Sequence, residues 1–126
     1  MRWLFVLALL AFAGPPALAQ PVRAAQGQIV ELQVAAPALE GNRLGAPTVQ
    51  PVSVYLPPSY NSASARHYPT LYMLHGYHDT RDAWLSYLGI KAMLDRDIAA
   101  HHIPEIIVVM PHARIAGDVE LSLIHI

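Results

Sequence analysis

The chain lacks cysteine, basic clusters and long apolar runs, and each absence excludes a class of protein. Without cysteine among its 126 residues it has no disulfide framework, so its fold depends on the burial of side chains. A formal net charge of −1 and the lack of basic runs argue against nucleic acid as a partner. The longest apolar run is too short for a membrane anchor, since a bilayer-spanning helix needs about 20 residues.

That run belongs to an amino terminus with the pattern of a secretory signal peptide. Met1-Arg2 gives a positive start, an apolar stretch covers 3–13, and a small-residue cleavage site ends at Ala19. This order predicts a signal peptide over 1–19, cleaved after Ala19. The protein is therefore expected to be secreted or periplasmic, without membrane association after cleavage. The small and polar residues 20–28 are expected to form a linker.

The middle of the chain predicts a strand, a helix and a second strand. Apolar runs at 71–74 and 106–110 flank an amphipathic helix from about Ile90 to His101, in which Ile90, Leu94 and Ile98 share one stripe. Continuous apolar strands joined by a helix are expected from a parallel sheet covered on both faces. The predicted fold class is therefore α/β.

Two alternating segments come earlier, at 29–34 and 52–56. In the first, Glu31 and Gln33 alternate with apolar residues, which predicts a strand with a solvent-facing side. In the second, Ser53 and Tyr55 alternate with Val52, Val54 and Leu56. We expect these segments to form an antiparallel hairpin at an edge of the sheet. A short helix carrying Trp84 and Leu88 is expected after the polar residues 79–82.

Ligands bind at the carboxyl ends of the strands in such sheets, which here are His75-Gly76-Tyr77-His78 and Pro111-His112. A strand that ends in His-Gly can present a backbone N–H to the oxyanion of an ester. The alternatives are a metal site at His75 and His78, with His112, and an ordinary polar turn. The metal site lacks a carboxylate or thiolate to complete its ligands.

A wider pattern favours the first interpretation. Four motifs occur in this order: Val54-Tyr55-Leu56-Pro57-Pro58-Ser59-Tyr60, the run Tyr68 to Tyr77, Trp84, and the run Ile103 to Pro111. Together they resemble the amino-terminal part of the putative-esterase family of α/β-hydrolases. That family includes feruloyl, acetyl-xylan and enterochelin esterases. The resemblance implies that the Tyr77 backbone N–H contributes to an oxyanion hole, that His75 and Gly76 are structural, and that the substrate is a small-molecule or carbohydrate-linked ester.

The family's serine nucleophile has no counterpart here. No serine lies in the Gly-x-Ser-x-Gly pattern of a nucleophile elbow, and the triad acid and histidine are expected to follow that serine. The chain is therefore expected to be a fragment: a partial esterase domain over 29–120 that is inactive alone, with neither cofactor nor metal. Residues 121–126 resemble translated sequencing adapter, with a native sixth strand as the alternative.

A different class of function also fits the composition. A small exported binding module without catalysis would use the surface near Tyr77, Trp84 and Tyr87 to stack on sugars or aromatic ligands. The sequence leaves the oligomeric state open.

Overall fold

The computed structural model describes residues 25–63, 65–76 and 79–112, which form a mixed four-stranded sheet with helical connections. The strands are β1 (Gln28–Ala35), β2 (Val49–Leu56), β3 (Thr70–Tyr72) and β4 (Ile107–Pro111), and their order in the sheet is β1-β2-β4-β3. Strand β2 is antiparallel to β1 and β4, whereas β3 is parallel to β4. The predicted α/β class is confirmed.

Three helical segments connect these strands. A 3₁₀ turn (Pro37–Leu39) follows β1, and between β3 and β4 lie a π-helical turn (Ala83–Tyr87) and helix α1 (Ile90–Ala99). Within the described ranges, no helix combines the length and apolarity that crossing a membrane requires.

Helix α1 supplies one side of the core, as its stripe predicts. Ile90, Leu94 and Ile98 are buried and pack with Tyr55, Val108 and Met110 of the sheet. Those three sheet side chains are 0% exposed. Full burial of a large apolar side chain is worth about 1.5–3 kcal/mol, so this face of the sheet supplies much of the stability.

The alternation of Ser53 and Tyr55 with Val52, Val54 and Leu56 does not give strand β2 a solvent-facing side. Strand β2 lies inside the sheet, between β1 and β4, and Ser53 and Tyr55 are both 0% exposed. The polar residues of an alternating strand face solvent only where no other element covers that side of the sheet. Here the core cluster covers the side that carries Tyr55. Conversely Leu32 of the edge strand β1, on the predicted apolar side, is 43% exposed.

Helix α1 ends at Ala99, two residues before its predicted end. The His102 N–H donates to the Asp97 carbonyl at 2.9 Å and the His101 N–H to the Ile98 carbonyl at 3.0 Å. His101 has φ 57°, so the two histidines close the helix in a Schellman-type cap instead of extending it.

A carboxylate on α1 ties the helix to the sheet. Asp95 accepts hydrogen bonds from the Gly27 N–H at 2.8 Å, the Tyr55 hydroxyl at 2.9 Å and Lys91 Nζ at 2.6 Å. Burial alone would raise the pKa of Asp95, but these donors outweigh it and hold the pKa below its usual range. Burial and the nearby Asp95 raise the pKa of the Tyr55 hydroxyl.

Because the pKa of Asp95 is lower in the folded chain, its stabilising effect is present above the unfolded pKa of about 3.9 and is lost as the pH falls through the folded value. Replacing Asp95 with Asn should lower the free energy of unfolding at neutral pH by about 1–3 kcal/mol and flatten its decline below pH 4. Urea denaturation across pH 2–7 measures both effects. Glu40→Gln, at an exposed position, is the matched control. If the free energy of unfolding of Asp95→Asn declines below pH 4 as steeply as that of the parent chain, Asp95 is not the source of this pH dependence.

Gly27 lies where a side chain has no room. A Cβ at this position would be 2.5 Å from atoms of the Tyr55 ring, which is itself fully buried. Gly27→Ala should therefore destabilise the chain by about 1–3 kcal/mol through overpacking. Denaturation midpoints test this, with Gly76→Ala as the control because a Cβ there meets no atom within 4 Å. Equal midpoints for the two variants would refute the steric argument.

Candidate functional site

The parallel pairing of β3 with β4 brings the predicted site segments together. Beyond the end of β3, the Met73 N–H donates to the Val109 carbonyl at 2.9 Å, so the two chains still run side by side as they approach His75 and His112. The His75 and His112 ring centroids are 6.0 Å apart, with a 47° angle between the rings. Both histidines thus lie at the carboxyl edge of the parallel pair.

His75 is the most buried polar group at this edge, with 1% of the residue exposed. Its Nδ1 lies 3.1 Å from the Gly76 carbonyl oxygen. Because a carbonyl oxygen only accepts, this contact is a hydrogen bond in the tautomer that carries the proton on Nδ1. A buried imidazole held in this way fixes the start of the following loop.

Gly76 begins that loop, and the space beside it is open. Among the described residues, no atom lies within 4 Å of a Cβ built on Gly76, and its φ lies outside the left-handed region. The glycine is thus not required by its backbone conformation. Its carbonyl accepts a hydrogen bond from the Asp79 N–H at 3.2 Å. Tyr77 and His78, between these residues, lie outside the described residues.

Arg81, which follows the loop, pairs with Glu31 of β1, and neither was singled out as a site residue. Arg81 Nη1 lies 2.6 Å from Glu31 Oε2. The Ser53 hydroxyl donates to Glu31 Oε1 at 2.7 Å. Fifty positions separate the two charged residues along the chain, and no local pattern connects them.

Three of the described serines, Ser53, Ser59 and Ser62, take part in hydrogen bonds that hold the fold together. The Ser53 hydroxyl is engaged with Glu31 inside the sheet. The Ser59 hydroxyl donates to Glu105 at 2.5 Å and lies 2.7 Å from the Tyr68 hydroxyl, at the opposite end of β4 from His112. The Ser62 hydroxyl donates to the Ser59 carbonyl. Ser64 and Ser122 lie outside the described residues.

The aromatic residues proposed for ligand stacking do not form one platform. Trp84 packs against the core, whereas Tyr87 is 91% exposed. Tyr87 borders a surface cavity of about 530 Å³ together with Asp79, Thr80 and Asp82. Only Tyr87 of the described pair is therefore available to an external ring.

The metal interpretation lacks a ligand set among the residues with described positions. Within them, no group of three or more His, Cys, Asp or Glu side chains is placed to hold an ion. His75 and His112 are neighbours, and His78 falls in the undescribed pair.

The sheet and its connections have the fold of an incomplete α/β-hydrolase. The family model described as putative esterase matches residues 46–118, more than half of the chain. The chain therefore belongs to the putative esterase family, and the resemblance seen in its motifs is confirmed. No curated protein matches the sequence.

Solved structures similar to this chain are also esterases. A ferulic acid esterase is 27% identical with a TM-score of 0.62, over 72% of this chain and 32% of that one. A mutant of the feruloyl esterase module from Clostridium thermocellum, complexed with sinapinate, is 22% identical with a TM-score of 0.56, over 75% of this chain and 30% of that one. The chain spans about a third of the length of these structures.

Removing the His75 imidazole should loosen this edge. His75→Ala leaves a cavity and removes the contact with the Gly76 carbonyl, so we expect a loss of about 2–4 kcal/mol in the free energy of unfolding. His75→Asn keeps a nearby N–H donor and should cost less. Urea denaturation ranks the variants, with His67→Ala as an exposed control. If His75→Ala and His67→Ala have the same midpoint, the imidazole does not support the fold.

Proposed function

We propose that this chain is the amino-terminal, oxyanion-hole portion of a serine carboxylic-ester hydrolase. The observation that carries the proposal is the position of His75-Gly76 at the carboxyl edge of the β3–β4 pair, within the segment that matches the esterase family. Among the described residues, no atom lies within 4 Å of a Cβ built on Gly76, which supports access to the backbone there. Fold-level membership alone would not assign a reaction, so the site carries this step.

The proposed chemistry follows from charge. When a serine oxygen attacks an ester carbonyl, the carbonyl oxygen becomes negative in the tetrahedral intermediate. The backbone N–H of Tyr77 is proposed to donate to that oxygen, while His75 and Gly76 shape the segment that carries it. A donor fixed beforehand stabilises the charge without reorganising, and loss of one such donor costs about 2.7–4 kcal/mol in comparable sites.

The nucleophile, its histidine base and the acidic partner are proposed to come from sequence outside these 126 residues. The support is that no Gly-x-Ser-x-Gly occurs in the chain and that the chain covers 32% of the ferulic acid esterase. Residues 29–120 are the proposed partial hydrolase domain, after a signal peptide at 1–19 and a linker at 20–28. The amino-terminal pattern supports export to the periplasm or the medium.

The substrate is proposed to be a small-molecule or carbohydrate-linked ester. Support comes from the family and from the solved neighbours, whose titles describe ferulic acid and feruloyl esterases. The binding-module alternative is not favoured, since Trp84 packs against the core and does not line the cavity beside Tyr87.

The 126-residue chain should not hydrolyse p-nitrophenyl acetate above the buffer rate. A partial oxyanion hole without a nucleophile offers no covalent route to products. Release of nitrophenol, followed at neutral pH, measures this directly. A burst that a serine-directed phosphonate abolishes would contradict the proposal, since it requires an active serine in the chain.

A further inference from the structure

The described sheet has two edges, and they differ in how they are protected. Strand β1 forms one edge and strand β3 the other. Edge strands carry unpaired N–H and C=O groups, which favour pairing with another chain unless charges, bulges or a covering element prevent it. Strand β1 carries the charge of Glu31, whereas residues 69–74, which include β3, contain no charged residue. The β3 edge is therefore the less protected of the two.

The ladder with β4 shows which backbone groups of β3 point outward. The Pro69 carbonyl and the Met73 N–H both bond to β4, each at 2.9 Å. Alternate residues of a strand direct their N–H and C=O groups to the same neighbour, so Thr70 and Tyr72 direct theirs away from β4. No described residue bonds to these outward groups. They are thus available to a further strand.

The side chains at this edge are apolar and face water. Leu71 is 48% exposed, Tyr72 66% and Leu74 40%. The residue paired with Leu71 in the ladder, Val108 of β4, is 0% exposed. The apolar surface of the sheet therefore continues to the β3 edge without being covered there. A strand added at this edge would bury these side chains and satisfy the outward backbone groups at the same time.

We propose that two copies of this chain pair through their β3 edges, antiparallel, about a two-fold axis at Tyr72. In this register Tyr72 faces Tyr72 of the second copy, and Thr70 faces Leu74, and facing residues exchange N–H···O bonds. A two-fold interface places the same patch of both copies together, so any charge in it meets its own kind. An uncharged edge avoids this repulsion, whereas pairing through β1 would bring two Glu31 carboxylates into the junction.

The size of the junction sets its strength. One short strand from each copy buries less surface than specific, stable interfaces do, so the dimer is expected to dissociate on dilution. The proposal concerns the β3 edge alone and does not depend on the proposed ester chemistry.

Sedimentation equilibrium of the 126-residue chain, from about 10 μM to about 1 mM, tests the association. The average mass should rise with concentration toward twice that of the chain. Tyr72→Lys places like charges opposite each other across the axis and should weaken association about ten-fold or more. Gln33→Lys, which adds the same charge on the exposed edge strand β1, is the matched control and should associate as the parent does. Association through another surface, such as the apolar residues 3–13, would persist in Tyr72→Lys.

Tyr72→Pro separates backbone pairing from side-chain packing. Proline removes the outward N–H and no bond to β4, a position at which edge strands tolerate it, and it should also abolish association. Amide exchange at Thr70 and Tyr72 of the parent chain should slow about five-fold or more from the lowest to the highest concentration, while α1 keeps its rates.

Three outcomes would overturn the proposal. The first is a mass that does not change with concentration. The second is equal association of Tyr72→Lys and Gln33→Lys. The third is protection of the Thr70 and Tyr72 amides already in the dilute monomer, which would mean that another segment of the same chain covers the edge. Since none of these measurements needs ester turnover, they are independent of the hydrolysis assay.

Discussion

The pairing of β3 with β4 is the contact on which the candidate site depends. Strand β3 has only three residues, all exposed, and β4 is its neighbour within the described sheet. Bonds beyond both ends lengthen this short ladder, from the Ile107 N–H to the Pro69 carbonyl and from the Met73 N–H to the Val109 carbonyl. An edge strand so short cannot hold a loop in place by itself, so burial of His75 completes its attachment.

Polar side chains fix the other connections at both ends of the sheet. Asp95 joins the start of β1 to α1 through Gly27 and Tyr55. At the amino end of β4, Glu105 accepts from the Ser59 hydroxyl and pairs with Arg66 at 2.6 Å. Each carboxylate is mostly buried and meets several donors, which offsets the cost of removing it from water. The loops before β3 and around β1 are thereby tied to the core.

Under the proposed function, these contacts support the sheet edge that an ester would approach. Acyl-transfer sites stabilise a negative oxygen with donors that are already in place. Here a buried imidazole precedes the loop and an arginine follows it. The chain spans about a third of the length of its solved relatives.

Local patterns were sufficient to predict the α/β class, the stripe of Ile90, Leu94 and Ile98, and the family. These features depend on hydrophobic periodicity and on short motifs, which a sequence displays directly. The sequence likewise shows that these residues contain no Gly-x-Ser-x-Gly motif. The end of α1 was misplaced because a left-handed histidine cap at His101 has no strong sequence signal.

Only the tertiary structure decided which faces of the strands are covered. Ser53 and Tyr55 alternate with apolar residues, yet strand order places β2 inside the sheet and the core cluster buries Tyr55. The Glu31–Arg81 pair joins residues fifty positions apart, and no sequence pattern near either residue predicts the other as its partner. The sequence alone thus determined the periodic elements and the family motifs, because both are local properties of the chain. Burial and long-range charge pairing depend on how the strands are ordered, and only the folded sheet sets that order.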